Sequence, residues 1–169
     1  MSLNYRDTEV ITGQYGHHNT ISQGASLVPC SDLCGTVLAS RAPQWTAGQR
    51  VMAIFNQTHL TGQVTAADLA SGLGQPQPGV LAEFRSFPAA GLVAAPAYLR
   101  AAEAACLPIA AVTAWMALNG MHAIGQPLDY SDAAVPAAHH RETVLLRGTG
   151  GVAVAGLQIA CAARLHSPS

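Results

Sequence analysis

Gly148-Thr149-Gly150-Gly151-Val152-Ala153 has the residue types and spacing to receive a phosphate. It fits G-x-G-x-x-G/A with Ala153 in the last place, between the apolar run Thr143–Arg147 and the helix-forming run Val152–Arg164. In a strand-turn-helix unit Gly148 permits the tight turn out of the strand. Gly150 lets the backbone approach an anion with no Cβ in the way, and Ala153 keeps the helix close to the sheet. Free N–H groups of Gly151 and Val152 at the helix start would then face a dinucleotide pyrophosphate. Any strand-to-helix turn can use glycine, so nucleotide binding and a purely structural turn both stand on these residues alone. An acidic residue about 20 positions further on would hold the ribose. Counting from Gly148 reaches Pro168 and Ser169, neither of them acidic. The expectation is that most of a nucleotide domain lies outside this sequence.

A second set of residues could hold a metal. Cys30-x3-Cys34 with His17 and His18 offers the sulfur and imidazole donors that zinc prefers, at an unusual spacing. The rival reading, small buried thiols beside a strand, is preferred, and no metal is expected. His139-His140 sits in a polar stretch without a nearby Cys and reads as a solvated loop.

The elements that must position these groups fall into two styles. Gly35–Ala39, Arg50–Phe55, Gly79–Phe87 and Gly91–Ala94 read as short strands with turns about every ten residues, the pattern of a small barrel or sandwich. In Gly79–Phe87, Val80, Ala82 and Phe84 alternate with Leu81, Glu83 and Arg85, predicting one wet face. Thr65-Ala66-Ala67-Asp68 has the spacing of a helix N-cap. The first residues read as a broken-off element, with Thr12–Gly16 a turn. After Pro96 the sequence becomes Ala-rich: Tyr98–Cys106 and Leu107–Met121 predict helices, and Gly125–His140 a polar loop. Thr143–Arg147 predicts a buried strand and Val152–Arg164 a last helix. The domains predicted are 1–96 and 97–169.

Composition narrows the function. Half of the 169 residues are hydrophobic, 32 of them Ala, which is ample for a core and wrong for a disordered chain. All eight basic residues are Arg, scattered against nine acidic ones, so no basic face exists to grip nucleic acid. The longest apolar run, Ala104–Leu118, contains Pro108 and is shorter than the ~20 residues of a membrane span. A polar N-terminus without signal-peptide character and four Cys without a dense framework predict reduced thiols and a cytoplasmic location.

Several blocks occur in an order that resembles one family. LPIAAVTAW (Leu107–Trp115) followed by TVLLRGTGGVAVAGLQIA (Thr143–Ala160) is similar to the medium-chain dehydrogenase/reductase superfamily, in its zinc-independent, quinone-oxidoreductase-like branch. SLNYRD (Ser2–Asp7), VPCSDLCGTV (Val28–Val37), AGQRVMAIF (Ala47–Phe55) and GVLAEFRSFPAAGLVAAP (Gly79–Pro96) extend the resemblance over nearly the whole chain. It implies an α+β protein: a GroES-like β-barrel, here partial, followed by the first strand-turn-helix of a Rossmann domain, with both ends of the family pattern missing.

The resemblance implies NADP or NAD as cofactor, a small-molecule substrate, and a homodimer once full length. Asn4, Tyr5 and Asp7 would lie near the nicotinamide and substrate. Thr113 would touch the cofactor, and Gly150, Gly151 and Val152 would meet the pyrophosphate. Zinc-bearing relatives ligate their catalytic ion at positions matching Asn4, Ser31-Asp32 and a residue close to Ile109, and none of these is a competent soft or imidazole ligand here. Simpler roles compete: Asp7 as a helix cap, Tyr5 as half-core, Thr113 bonding back along its own helix. Cys30, Leu33 and Cys34 depart from small or Gly positions, and Leu33 is the one expected to resist its backbone angle. The loop Asp129–Glu142 is longer than the family's usual connection. The activity implied is reduction of a quinone, ketone or activated alkene by hydride transfer. A catalytically inactive truncated product or interaction fragment is the alternative. A third reading, a standalone binding module, would need an apolar pocket that no sequence feature demands.

Overall fold

The computed structural model describes residues 1–16, 27–119 and 144–163. The chain divides into two compact units, Met1–Pro108 and Ile109–Ser169, and each is taken by itself. His17, His18, the 129–142 loop, His139, His140, Thr143, Pro168 and Ser169 lie outside the described residues.

The first unit is built on three antiparallel strands in the order β1-β2-β3: β1 Cys34–Thr36, β2 Arg50–Ala53 and β3 Leu92–Ala94. Gly35 faces Val51 across β1–β2, and Val51 faces Ala94 across β2–β3. Strand periodicity places Val51 and Ala53 on the covered face of β2, where both are buried. Cys30, Ala53, Leu73 and Val80 form the core, with Leu33, Phe55, Phe87 and Leu92 packed against it. Arg50 anchors the end of the unit: its Nη1 donates to Leu99 O at 2.8 Å, and its Nη2 to Ala97 O at 3.0 Å and Pro96 O at 3.3 Å.

Two expectations about this unit are corrected. Residues 79–87 form no strand. The N–H groups of Val80 and Leu81 turn instead to the carbonyls of Pro29 and Cys30, so the segment lies on an irregular loop rather than a ladder. Gly79 permits that approach, since a Cβ there would stand 2.0 Å from the Cys30 oxygen. The opening residues, expected as a broken-off element, instead form a complete short helix, α1 (Tyr5–Ile11). Helix α2 (Ala66–Leu69) starts where the Thr-x-x-Asp spacing predicts. The Asp68 N–H donates to Thr65 Oγ1 at 3.3 Å, and Thr65 N donates back to Asp68 Oδ2 at 3.0 Å.

The helix expected over 98–106 shortens to α3 (Ala101–Ala104). The next begins as a π-helical turn, Leu107–Ala111, and becomes α4 (Val112–Asn119). Pro108 has no N–H for the α-helical ladder, which explains the wider turn. In the second unit α4 packs on α5 (Gly151–Ala162). The contact uses small residues: a Cβ on Gly151 would lie 3.3 Å from Ala110 Cβ, and one on Gly156 would lie 3.1 Å from Leu146. Residues 144–147 form no strand among the described residues. Leu145 is 82% exposed, while Leu146 is half-buried and packs against α5 at Gly156. A lone extended run has no ladder to join, so its apolar sequence cannot make it a strand. No helix among the described residues is long and apolar enough to cross a membrane.

Candidate functional site

The first unit gathers a buried polar centre around α1. Asn4 is the N-cap, extended at φ −122°, and its backbone N–H donates to Asp7 Oδ2 at 2.8 Å. Its side-chain Nδ2 donates to Asp32 Oδ2 at 2.9 Å, across 28 residues of sequence. Asp7, Ser31 and Asp32 are only 4%, 0% and 1% exposed. The structure therefore brings Asn4 and Asp7 together, with Asp7 serving as the cap of its own helix. Tyr5 does not join them; it is 81% exposed and stands outward from α1 rather than half in the core.

Arg6, Cys30 and Asp32 also belong to this centre; the sequence weighed Cys30 and Asp32 only against a metal, and did not single out Arg6 at all. Arg6 Nη1 donates to Leu73 O at 3.0 Å, and its guanidinium lies over the rings of Tyr15 and Phe55. Burial pushes the Cys30 thiol up from its ordinary range, and the neighbouring Asp7 carboxylate pushes it the same way. Cys30 also carries the left-handed backbone, φ 69°, that had been expected of Leu33. No other non-glycine among the described residues has a positive φ. Leu33 itself has no positive φ, so the expected strain at that position is absent. All four cysteines are free thiols.

The same unit holds an open groove of about 1210 Å³ whose lining includes Leu33, Trp45, Phe84 and Phe87. Arg41, Glu83 and Arg85 also line it, so it is a mixed groove, and no sequence feature had demanded it. Its residues come from four separate stretches, so no local pattern announces it.

The second unit carries the glycine turn. Gly148 has φ 104°, a conformation that favours glycine, and Gly150 caps α5 with no side-chain hydrogen bond. The first bond of the helix ladder is Val154 N to Gly150 O, at 3.0 Å. The N–H groups of Gly151, Val152 and Ala153 precede it and sit at the positive end of the helix. Gly148, Gly150, Gly151 and Val152 are all exposed. Thr113 lies on α4 with its side chain exposed, and among the described residues its hydroxyl does not bond back along the helix.

Residues 1–97 match the alcohol dehydrogenase GroES-like domain family. The chain belongs to that family. A zinc-type alcohol dehydrogenase-like protein from Schizosaccharomyces pombe is 34% identical over 164 residues, covering 96% of this chain and 43% of its own length. A solved structure from Sinorhizobium meliloti 1021, provisionally named an alcohol dehydrogenase, superposes with TM-score 0.79 at 35% identity, covering 99% of this chain and 45% of that one. The yhdH oxidoreductase from Salmonella enterica, solved in complex with NADP, gives TM-score 0.62 at 28% identity, covering 94% of this chain and 40% of that one. The chain thus spans less than half the length of these relatives. They place it among the medium-chain dehydrogenases/reductases, with the GroES-like domain leading into a Rossmann beginning.

The donors around Asn4 are mixed: the carboxylates of Asp7 and Asp32 and the Cys30 thiol beside an amide and a hydroxyl. Zinc sites use thiolate, imidazole and carboxylate donors. Here Asn4 turns its amide nitrogen inward, a donor with no lone pair for a metal, and Ser31 offers only a neutral hydroxyl. Among the described residues no group of three or more His, Cys, Asp or Glu side chains could hold a metal ion.

Proposed function

We propose that this chain carries part of an NAD(P)H-dependent, zinc-independent oxidoreductase that reduces a quinone, ketone or activated alkene. In this reading residues 1–96 are the partial GroES-like barrel on the substrate side. Residues 97–169 are the helical connection and the opening of the nucleotide-binding domain. The observation that carries it is the start of α5: an exposed Gly148–Val152 turn, a glycine cap, and N–H groups free to meet a pyrophosphate.

Bound there, the nicotinamide would supply the hydride. The chain's residues bind and orient. Gly148, Gly150, Gly151 and Val152 would hold the diphosphate through backbone N–H groups, and Thr113 would offer a hydroxyl to the cofactor. Tyr5, exposed on α1, offers a phenolic O–H to the acceptor oxygen. Asn4 and Asp7 hold that helix in place.

The test is a thermal melt of the purified chain with saturating NADPH or NADH. Ligand at about 100 times its dissociation constant stabilises by roughly 2.7 kcal/mol, a rise of several degrees at this size. A cooperative melt that rises with cofactor supports the reading, and a transition blind to both cofactors sinks it. The groove beside Trp45 and Phe84 favours a second reading, a catalytically inactive binding or interaction fragment. A cooperative, cofactor-blind melt would leave that one standing.

A further inference from the structure

Strand β1 has one bonded edge and one open edge. Val37 N donates to Gln49 O at 2.9 Å and Gly48 N to Val37 O at 2.8 Å, so Gly35 and Val37 are the residues that bond toward β2. In an antiparallel ladder the alternate residues turn their N–H and C=O groups the other way. Asp32 follows that alternation: its carbonyl accepts the Ser2 N–H at 2.9 Å, and the two residues form an isolated antiparallel bridge. The lane that Ser2 opens runs on through Met1 and alongside Cys34 and Thr36. Among the described residues no backbone group pairs with the outward N–H and C=O groups of those two.

The groove lies against this lane. Leu33, Val51, Val80, Phe87 and Leu92 line it, and Met1 reaches it from the lane itself. Strand alternation turns the lane position opposite Gly35 to the same side as Met1. Gly35 brings no side chain there, and its ladder partner Val51 belongs to the covered face, so an apolar side chain in the lane has room above it.

Charge distinguishes the two ends. The Val80 and Leu81 N–H groups bond to Pro29 O, and Arg85 Nη1 donates to the carbonyls of Pro78 and Gly79, which keeps Glu83 near the Cys30 end of the lane. Arg41 stands beyond the Thr36 end. Both line the groove, both are exposed, and neither has an ion pair among the described residues.

We propose that the open edge of β1 is a docking site for an extended strand of another polypeptide, laid antiparallel to β1 and in line with Met1–Leu3. Its groove-facing positions are apolar. An acidic residue near its N-terminal end faces Arg41, and a basic residue near its C-terminal end faces Glu83. Main-chain bonds at Cys34 and Thr36 supply the affinity, and the groove and the two charges fix the register and direction. No nucleotide takes part, so this inference and the cofactor reading fail separately.

The probe is a fluorescein-labelled, amidated heptapeptide of alternating Val and Thr, with Glu at its N-terminal end and Lys at its C-terminal end. It is titrated against the full chain by fluorescence anisotropy. Saturable binding is expected, weakened about tenfold when Glu and Lys are exchanged. A central Pro should abolish it, because the peptide then lacks a ladder donor. No binding of the first peptide, or equal binding of all three, overturns the proposal.

Thr36→Pro deletes an outward N–H while leaving the bonds to β2 in place. It should melt with the wild type and lose the peptide; a folded variant that binds as before overturns the proposal. A wild-type dimer that Thr36→Pro dissolves also overturns it, because a second copy then occupies the edge. Should Thr36→Pro not fold, Arg41→Glu decides. That variant should prefer the exchanged-charge peptide, and an unchanged preference overturns the proposal.

Discussion

Helices α1 and α5 begin in opposite ways. At α1 the Asn4 N–H is taken by Asp7, the Asn4 amide by Asp32, and both carboxylates are buried. At α5 the cap is Gly150, exposed and without a side-chain bond, and the residues around it are exposed as well. Every helix starts with N–H groups that its own ladder cannot satisfy. One start meets that need from within the protein and gains stability. The other leaves the need open, forgoing about 1 kcal/mol of capping in return for a place where an anion could bind. A self-satisfied helix start is a joint, and an exposed one is left to water or to an anion that reaches it.

The contrast can be broken from the α1 side with the largest effect. Asp7→Ala removes the buried acceptor of the Asn4 N–H and should cost about 2–3 kcal/mol in urea unfolding. A loss below about 0.5 kcal/mol would mean the helix start is not held by this carboxylate. Cys30→Val comes next, because a β-branched side chain at φ 69° adds strain to a backbone that already resists L-residues. We expect about 2 kcal/mol of destabilisation by the same measurement. An unchanged midpoint would show that the left-handed conformation is not kept in solution.

Making α5 resemble α1 sharpens the comparison. Gly150→Asp should raise the cofactor-free melt by about 0.5–1 kcal/mol through an N-cap carboxylate at the positive helix end. The same variant should abolish any cofactor-induced rise, since its charge repels phosphate. A variant that keeps the rise would place the cofactor elsewhere.

The smallest effect is in pH. Because the Cys30 thiol is pushed up, the folded protein keeps its proton over a range where the unfolded chain has lost it. Stability from this group is full below the ordinary thiol range and falls as pH climbs from about 9 toward the raised value. Cys30→Ala should flatten that alkaline decline in denaturant midpoints measured from pH 8 to 10.5. An unchanged slope would show that the thiol does not titrate with unfolding.

What the sequence disclosed follows the range of the interactions. The alternation in β2, the Thr65–Asp68 cap and the glycine start of α5 are each decided within a few residues. The Asn4–Asp32 contact spans 28 residues, and nothing near Asp32 distinguishes a buried acceptor from a surface turn. Helix α1 was missed for a related reason: its support comes from the buried partner, not from an apolar stripe. The alternation in 79–87 is present in the sequence, but the loop at Pro29 and Cys30 takes the N–H groups of Val80 and Leu81, which a ladder would need. Tyr5 shows the limit of motif reading from the other direction. Its neighbours turn inward while it stays in solvent.

Arg50 carries a consequence of another kind. One guanidinium on β2 collects the carbonyls of Pro96, Ala97 and Leu99, so the chain leaves the sheet along a fixed heading before α3 begins. The carbonyls of Ala97 and Leu99 are thereby engaged, while that of Pro96 also accepts the Leu99 N–H at 3.3 Å, and the stretch works like the strain relief on a cable. Tension applied further along the chain would be absorbed at the guanidinium before it reached the ladder of β2 and β3.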